Sequence, residues 1–374
     1  MTRDCLVADL SQRPDNTETA GSRPLLSGAI WRDVVSPFLA TRVVMLLIGF
    51  IATRYLVASG QTSPRWLDCF SRFDALWYLS IARGGYFFDP SRQSSIAFAP
   101  LLPMLMRIMG RAMGSSDDAY LIVGIVISNL SLLIALIFIC ATTRDLFGNQ
   151  AARRAAWYLL VCPGTLYLSA IYPMSLMLAI AAAALWFARQ GRWRMASVIG
   201  MLAPLARPDG ALLLLPLLFE AARSVRTDRR ALCLAMIPAM SGIWLVAQWL
   251  AFGTPIAFIQ AQKMWEPSPF ITVLHSSRAA LILGMGAFFV LLTLIGWPGL
   301  PTSYSLYSTS FLAVMLSSGR LWSLPRFIVI LFPCFITLAW LGTRWKWLHI
   351  FYVVTATLIA AIFTLRFSLG LWVA

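Results

Sequence analysis

The chain has 374 residues, 59% of them hydrophobic and 12% charged, with a mean hydropathy of +0.76. A soluble domain needs more charge than that to cover its surface, so the composition excludes one and points to repeated membrane crossing. A formal charge of +15 would suggest nucleic acid in a soluble chain, but here the basic residues fall mostly in short loops between apolar runs, where they set topology and give no reason to expect nucleic acid.

Residues 1–32 are polar and mixed in charge, without the basic start and apolar core of a signal peptide, and read as a cytoplasmic tail. Residues 33–374 form the membrane domain. Its first span is expected over Phe38–Val57. Residues 58–118 then form a long outer loop carrying short interfacial helices, among them "FAPLLPMLMRIMGRAMG", whose two prolines and two arginines make a poor crossing. Further apolar segments are expected at Tyr120–Ala141, Ala155–Ser169, Ile171–Ala188, Met195–Ala206, Asp209–Ala222, Leu232–Phe252, Ala279–Gly296, Tyr304–Ser318, Arg326–Leu341 and Leu348–Leu365. They lack period-2 alternation, so the fold class is all-α, a polytopic bundle of about eleven spans.

Several of these segments are shorter than the roughly 20 residues a crossing needs, and two pairs are interrupted, at "SAIYPMS" and at "ARPDG". Broken helices are tolerated where their ends line a protein-walled or watery cavity, so one is expected. With the N-terminus inside, four successive loops rich in arginine or lysine fall on the cytoplasmic face. The opposite face then receives "RFDALWY", "YPMS", "RPDG", "GTPIAFIQAQKMW", "SLPR" and the C-terminal "RFSLGLWVA".

Asp74 is the candidate for chemistry. Among Arg72, Trp77, Tyr78 and Tyr86 it loses solvation and is expected to be able to take a proton from a hydroxyl; the alternative is a solvated loop acid paired with Arg72 or Arg83. Arg207 and Asp209 lie between two apolar half-helices, where ionisable groups are functional or paired. Arg326 begins a helix at the outer face and opposes its dipole, so an anion or a lipid headgroup offsets it. Gln260, Gln262, Lys263 and Trp265 lie together in one outer loop. Amides pair with sugar hydroxyls and an indole covers a pyranose face, although an amphipathic interfacial helix would look the same. The six cysteines are scattered without metal-ligand spacing, the two histidines are far apart, and no Gly-rich phosphate loop is present.

In motif order, "FDALWYLSIARGGY", "FAPLLPML", "SAIYPMSLMLAIAAAALWFARQGRW", "LARPDGALLLLP", "GTPIAFIQAQKMW", "SLPRFIVILFP" and the terminal "GLWVA" resemble the PIG-V-like mannosyltransferases of the GT-C superfamily. The resemblance runs from about Phe38 to the C-terminus. It implies a membrane glycosyltransferase, located in a bacterial inner membrane and active on its outer face, that takes its sugar from a polyprenyl phosphate. Asp74 would be its base and Arg207 and Arg326, with Lys263, would hold the lipid phosphate. Tyr172, in the motif that carries the first break, joins the substrate-binding set. No cofactor is implied beyond the donor lipid, and metal dependence stays open, as does the acceptor. Met174 stands where the family commonly has a glutamate, so the acceptor differs or activity is lost if that glutamate is a ligand. The rival readings are a transporter or lipid-carrier flippase, which would also need broken helices and buried charge, and a non-catalytic member of the same fold.

Overall fold

The structure, a computed structural model, describes residues 31–59, 66–223, 229–265 and 279–373. The expected tail lies outside them but for Trp31 and Arg32, which open a π-helical turn, Trp31–Val35. The described chain is a helical bundle without a β-strand. In chain order its helices are α1 (Ser36–Ala58), α2 (Asp74–Gly84), α3 (Leu101–Ala112), α4 (Asp117–Val161), α5 (Met174–Arg189), α6 (Trp193–Gly200), α7 (Ala203–Ala206), α8 (Leu214–Arg223), α9 (Met236–Phe252), α10 (Ala257–Gln262), α11 (Ala279–Gly296), α12 (Thr302–Ser317), α13 (Leu324–Phe327), α14 (Phe332–Arg344) and α15 (Lys346–Ser368).

Five segments are long and apolar enough to cross a membrane, those carrying α1, α4, α9, α11 and α15. A sixth is the pair Leu321–Ile330 and Phe332–Arg344, bent by 70° at Leu331. The expected span Ala155–Ser169 is split between the end of the segment carrying α4 and a 3-10 turn, and the remaining expected spans are present as shorter helices, several continued by 3-10 turns. Large apolar side chains such as Leu47, Ile51, Leu250, Phe351 and Leu358 are exposed along the long helices. Water would oppose that surface and lipid accepts it, so the chain is an integral membrane protein.

α4 shows how local chemistry sets the bundle. Ser116 caps it by accepting from the Ala119 N–H at 3.1 Å, and Asp117 and Asp118 sit at the positive end of its dipole. Inside it, Gly148 has φ 82° and ψ 178°, a conformation that side chains resist, and there the 45-residue segment divides into two arms. The returning arm stops at Pro163, where a 3-10 turn, Pro163–Leu168, takes over amid buried side chains.

Such a stop leaves carbonyls without partners, and neighbouring helices supply them. Arg42 of α1 donates to Leu160 O at 3.4 Å, to Thr165 Oγ1 at 2.9 Å and to Ser169 Oγ. Asn129 of α4 donates to Ser169 O at 3.4 Å and accepts from Ser169 Oγ at 3.0 Å. Two polar side chains on apolar helices thus hold the break that leads to Tyr172 and Met174.

The second break is tighter. Arg207 ends α7 in extended backbone, and Pro208 restarts the chain as a 3-10 turn, Pro208–Leu213. Gly210 lies so close to α7 that a Cβ there would be 2.1 Å from Ala203 O. Only glycine fits.

Candidate active site

The N-terminus of α2, the Tyr172–Met174 turn, the "ARPDG" break, α10, the end of α12, the bent segment around α13 and the C-terminal Trp372 converge on one cavity of about 680 Å³. Of the residues singled out in the sequence, Asp74, Tyr78, Tyr172, Arg207, Asp209, Gln262, Trp265 and Arg326 line it.

Asp74 is the first residue of α2, where a carboxylate is favoured by the helix dipole. The preceding Phe73 has φ 56° and ψ −120°, a strained backbone for a bulky side chain. Its ring holds it there, 5.5 Å from Phe367 and 4.9 Å from Trp372 between centroids. Strain of this kind costs about 1–3 kcal/mol and clusters at functional sites. Behind it, Tyr172 donates to Arg72 O at 3.2 Å, fixing the turn from a second side.

Arg326 donates to Asp74 Oδ2, while Oδ1 has no hydrogen-bond partner among the described residues. The two side chains are 12% and 17% exposed, enough to be reached from the cavity but shielded from bulk water. Tyr78 lies one turn after Asp74 on the same helix face. Burial, then the Asp74 carboxylate, push its phenol well up, so it remains a neutral hydroxyl.

Arg207 grips Asp209 with two parallel bonds, Nε to Oδ1 at 2.9 Å and a terminal nitrogen to Oδ2 at 2.7 Å. Its other terminal nitrogen points at Met174 Sδ, 2.9 Å away. The residue that departs from the family pattern therefore touches this arginine, with a thioether where a carboxylate would bring charge. The guanidinium groups of Arg207 and Arg326 both lie over the ring of Phe327, at 4.8 and 5.1 Å from its centroid. One aromatic side chain fixes the spacing of the two ion pairs.

The opposite wall is amphipathic. Gln262 donates to Ala97 O at 2.7 Å and leaves its Oε1 buried without a partner, as is Trp265 Nε1. Trp265 sits three residues beyond Gln262, and its ring meets Phe98 edge-on at 5.6 Å. Trp77 stacks on Phe98 at 5.7 Å and Tyr86 donates to Phe98 O at 3.0 Å. Trp77 and Tyr86 therefore lie behind the wall, supporting Phe98 and Trp265.

Arg72, Gln260 and Lys263 do not line the cavity. Arg72 donates to Ser368 O at 3.4 Å, tying α2 to the end of α15. Successive helical residues differ by about 100° in direction, so the turn that aims Gln262 inward aims Lys263 and Gln260 elsewhere. Lys263 is exposed.

Among the wall residues that escaped the sequence reading are Phe98, Arg320, Phe327 and Trp372. Arg320 had a signal, since it stands six positions before Arg326 in "GRLWSLPR" on the same expected face. Trp372 had only its place in the terminal motif. Among the described residues no three His, Cys, Asp or Glu side chains gather as metal ligands.

The model of the family described as mannosyltransferase (PIG-V) matches residues 39–247, more than half of the chain. The chain belongs to the PIG-V mannosyltransferase family. That match includes Asp74, Tyr172, Arg207 and Asp209, and the wall from Phe258 onward lies beyond it. The fold is of the GT-C type. The apo oligosaccharyltransferase of Archaeoglobus fulgidus superposes with a TM-score of 0.53 at 15% identity, over 90% of this chain and 56% of that one. The same enzyme tethered to an acceptor peptide containing the NVT sequon gives a TM-score of 0.50 at 14% identity, with the same coverage. Identities this low speak to the fold alone, and this PIG-V family chain spans just over half the length of those relatives. No curated protein matches it significantly in sequence.

Proposed function

We propose that the protein transfers a sugar, mannose, from a polyprenyl-phosphate-linked donor to a hydroxyl of a lipid, glycan or protein acceptor on the extracytoplasmic face, with Asp74 as general base. The observation that carries this reading is the Asp74 carboxylate on the wall of an arginine-rich cavity. One oxygen is held by Arg326 and the other is unengaged. Family membership supports the sugar and the reaction class.

The chemistry needs little else. Asp74 Oδ1 takes the acceptor proton as the acceptor oxygen bonds to the anomeric carbon. The bond from that carbon to the phosphate oxygen breaks, and the polyprenyl phosphate leaves with the electron pair. Phosphate leaves readily without a general acid, and fixed cations stabilise the charge that grows on it. Gln262 and Trp265 offer the sugar an unpaired acceptor, an unpaired donor and an aromatic face. Asp209 is less suited to the base's role, because both its oxygens already accept from Arg207.

Purified protein supplied with polyprenyl-phosphate mannose and a hydroxyl acceptor tests the proposal. Expected is free polyprenyl phosphate together with mannosylated acceptor, and less product from the corresponding glucose donor. Movement of the intact donor across a vesicle membrane would favour a flippase. Donor binding without turnover, under conditions where an active family member works, would mark a non-catalytic member of the fold.

A further inference from the structure

The cavity wall carries three arginines, Arg207, Arg320 and Arg326, and two aspartates, Asp74 and Asp209. Each aspartate is held directly by one arginine, Asp209 by Arg207 and Asp74 by Arg326. Arg320 pairs with no acid among the described residues. Its one side-chain hydrogen bond there runs to the main-chain oxygen of Gln262 at 3.0 Å. The wall therefore holds one positive charge more than its acids cancel, and that charge resides on Arg320.

We propose that Arg320 is the anchor for the donor's phosphate, and that Arg326 acts as a positioning residue that orients Asp74. This deepens the proposed function and rests on it.

The placement suits the task. Arg320 lies between the end of α12 and the bent segment that bears Arg326, and it reaches across to α10 beside Gln262 and Trp265. A phosphate there would have the amphipathic sugar wall on one side and Arg326 with Asp74 on the other. Its site is also electrically unsettled: burial, then the like charge of Arg326, push the Arg320 guanidinium below its usual range, against a smaller pull from the Asp74 carboxylate. An anion relieves both effects, and a phosphodiester, with one negative charge, matches the excess. The two paired arginines cannot take a phosphate as freely, because each would have to loosen a carboxylate partner first.

The test uses the purified full chain with two probes of equal chain length, a short isoprenyl phosphate and the corresponding isoprenol. Losing a charged hydrogen-bond donor to phosphate weakens binding by about 10- to 100-fold, and Arg320→Gln should raise the Kd for the phosphate by that factor. Arg320→Lys should recover most of the loss, since the charge is retained. Both variants should bind the isoprenol like the parent. The double variant Asp74→Asn/Arg326→Gln removes one charge of each sign, and should bind the phosphate within about threefold of the parent by the same charge argument.

Equal phosphate binding by parent and Arg320→Gln would overturn the anchor. So would an equal loss for the isoprenol, which would mark a structural role, or a loss in the double variant matching that of Arg320→Gln, which would move the anchor to Arg326. A parent that binds neither probe would instead refute the donor class itself, and the anchor with it.

Discussion

Replacing Asp74 with Asn tests the mechanism most directly, and the structure sets what to expect. The amide keeps the size of the carboxylate and can still accept from Arg326, so the turn built by Phe73 and Tyr172 should persist. It cannot take a proton. A positioned base contributes typically 10²- to 10⁴-fold, so turnover should fall by at least about 10²-fold. The lost charge also leaves Arg326 without its counter-ion in a site that is 12% exposed on the arginine side. Breaking a fully buried pair costs about 3–5 kcal/mol, and opening onto a cavity should reduce that to about 1–2 kcal/mol. The assay is single-turnover transfer from polyprenyl-phosphate mannose, with donor affinity measured separately, so that chemistry and binding are not confused.

Arg326→Gln adds the second side of a cycle. If Arg326 acts by orienting Asp74, it should lower kcat by roughly tenfold or more, and the double variant should be no slower than Asp74→Asn alone. Asp74→Glu should recover little, because one added methylene moves the carboxylate by about an ångström. An Asn variant turning over at the parental rate would refute Asp74 as the base. Independent, multiplying losses in the cycle would refute the orienting role of Arg326.

Arg207→Lys should destabilise the protein almost as much as Arg207→Gln, by about 2–4 kcal/mol, because an ammonium cannot reproduce the two-point grip on Asp209; thermal unfolding in detergent reads this, and full rescue by Lys would contradict it. Gly210→Ala should lower the unfolding temperature and abolish transfer, since the backbone oxygen of Ala203, 2.1 Å from the new Cβ, cannot swing away as a side chain would. Phe73→Gly should be more stable than Phe73→Ala by about 1 kcal/mol or more, because both lose the ring and only glycine relaxes the positive φ. A reporter inserted at Arg92 should be external and one at Arg192 cytoplasmic, and finding both on one side would overturn the assigned orientation.

The helices were legible because apolar runs and prolines act locally. Pro208 marks one break in the sequence itself, and the need to satisfy broken ends implied a cavity; the other break was expected at "SAIYPMS", whereas the helix already stops at Pro163, inside the span expected to run from Ala155 to Ser169. Asp74 was legible as an acid among aromatics. Its partner was not: Arg326 lies 252 positions away, and nothing within either motif says that the two meet. The loop "FIQAQKMW" shows the same limit at short range. Its residue types suit a sugar equally well, and only the helical register of α10 separates Gln262, which lines the cavity, from Lys263, which is exposed. Arg320 was passed over because an arginine just beyond an apolar run looks like an interfacial anchor wherever it sits.

The two ion pairs explain why the site is assembled from helix breaks. A continuous helix hides its backbone and lines up its side chains, so it cannot bring Asp74, Arg207 and Arg326 from three distant segments to one point. A break turns a side chain inward at the level of the membrane, but it exposes polar backbone that lipid will not solvate. In this chain the exposed ends are held by Arg42 and Asn129 at one break and by the close approach of Gly210 at the other. The charges at the centre are handled in the same way, as Arg207 with Asp209 and Arg326 with Asp74 over the shared ring of Phe327. Once those partners are assigned, the wall retains, among the described residues, one unmatched cation and one unengaged carboxylate oxygen. A hydroxyl acceptor and a phosphate-linked donor require that pair of groups, one to take a proton and the other to hold an anion.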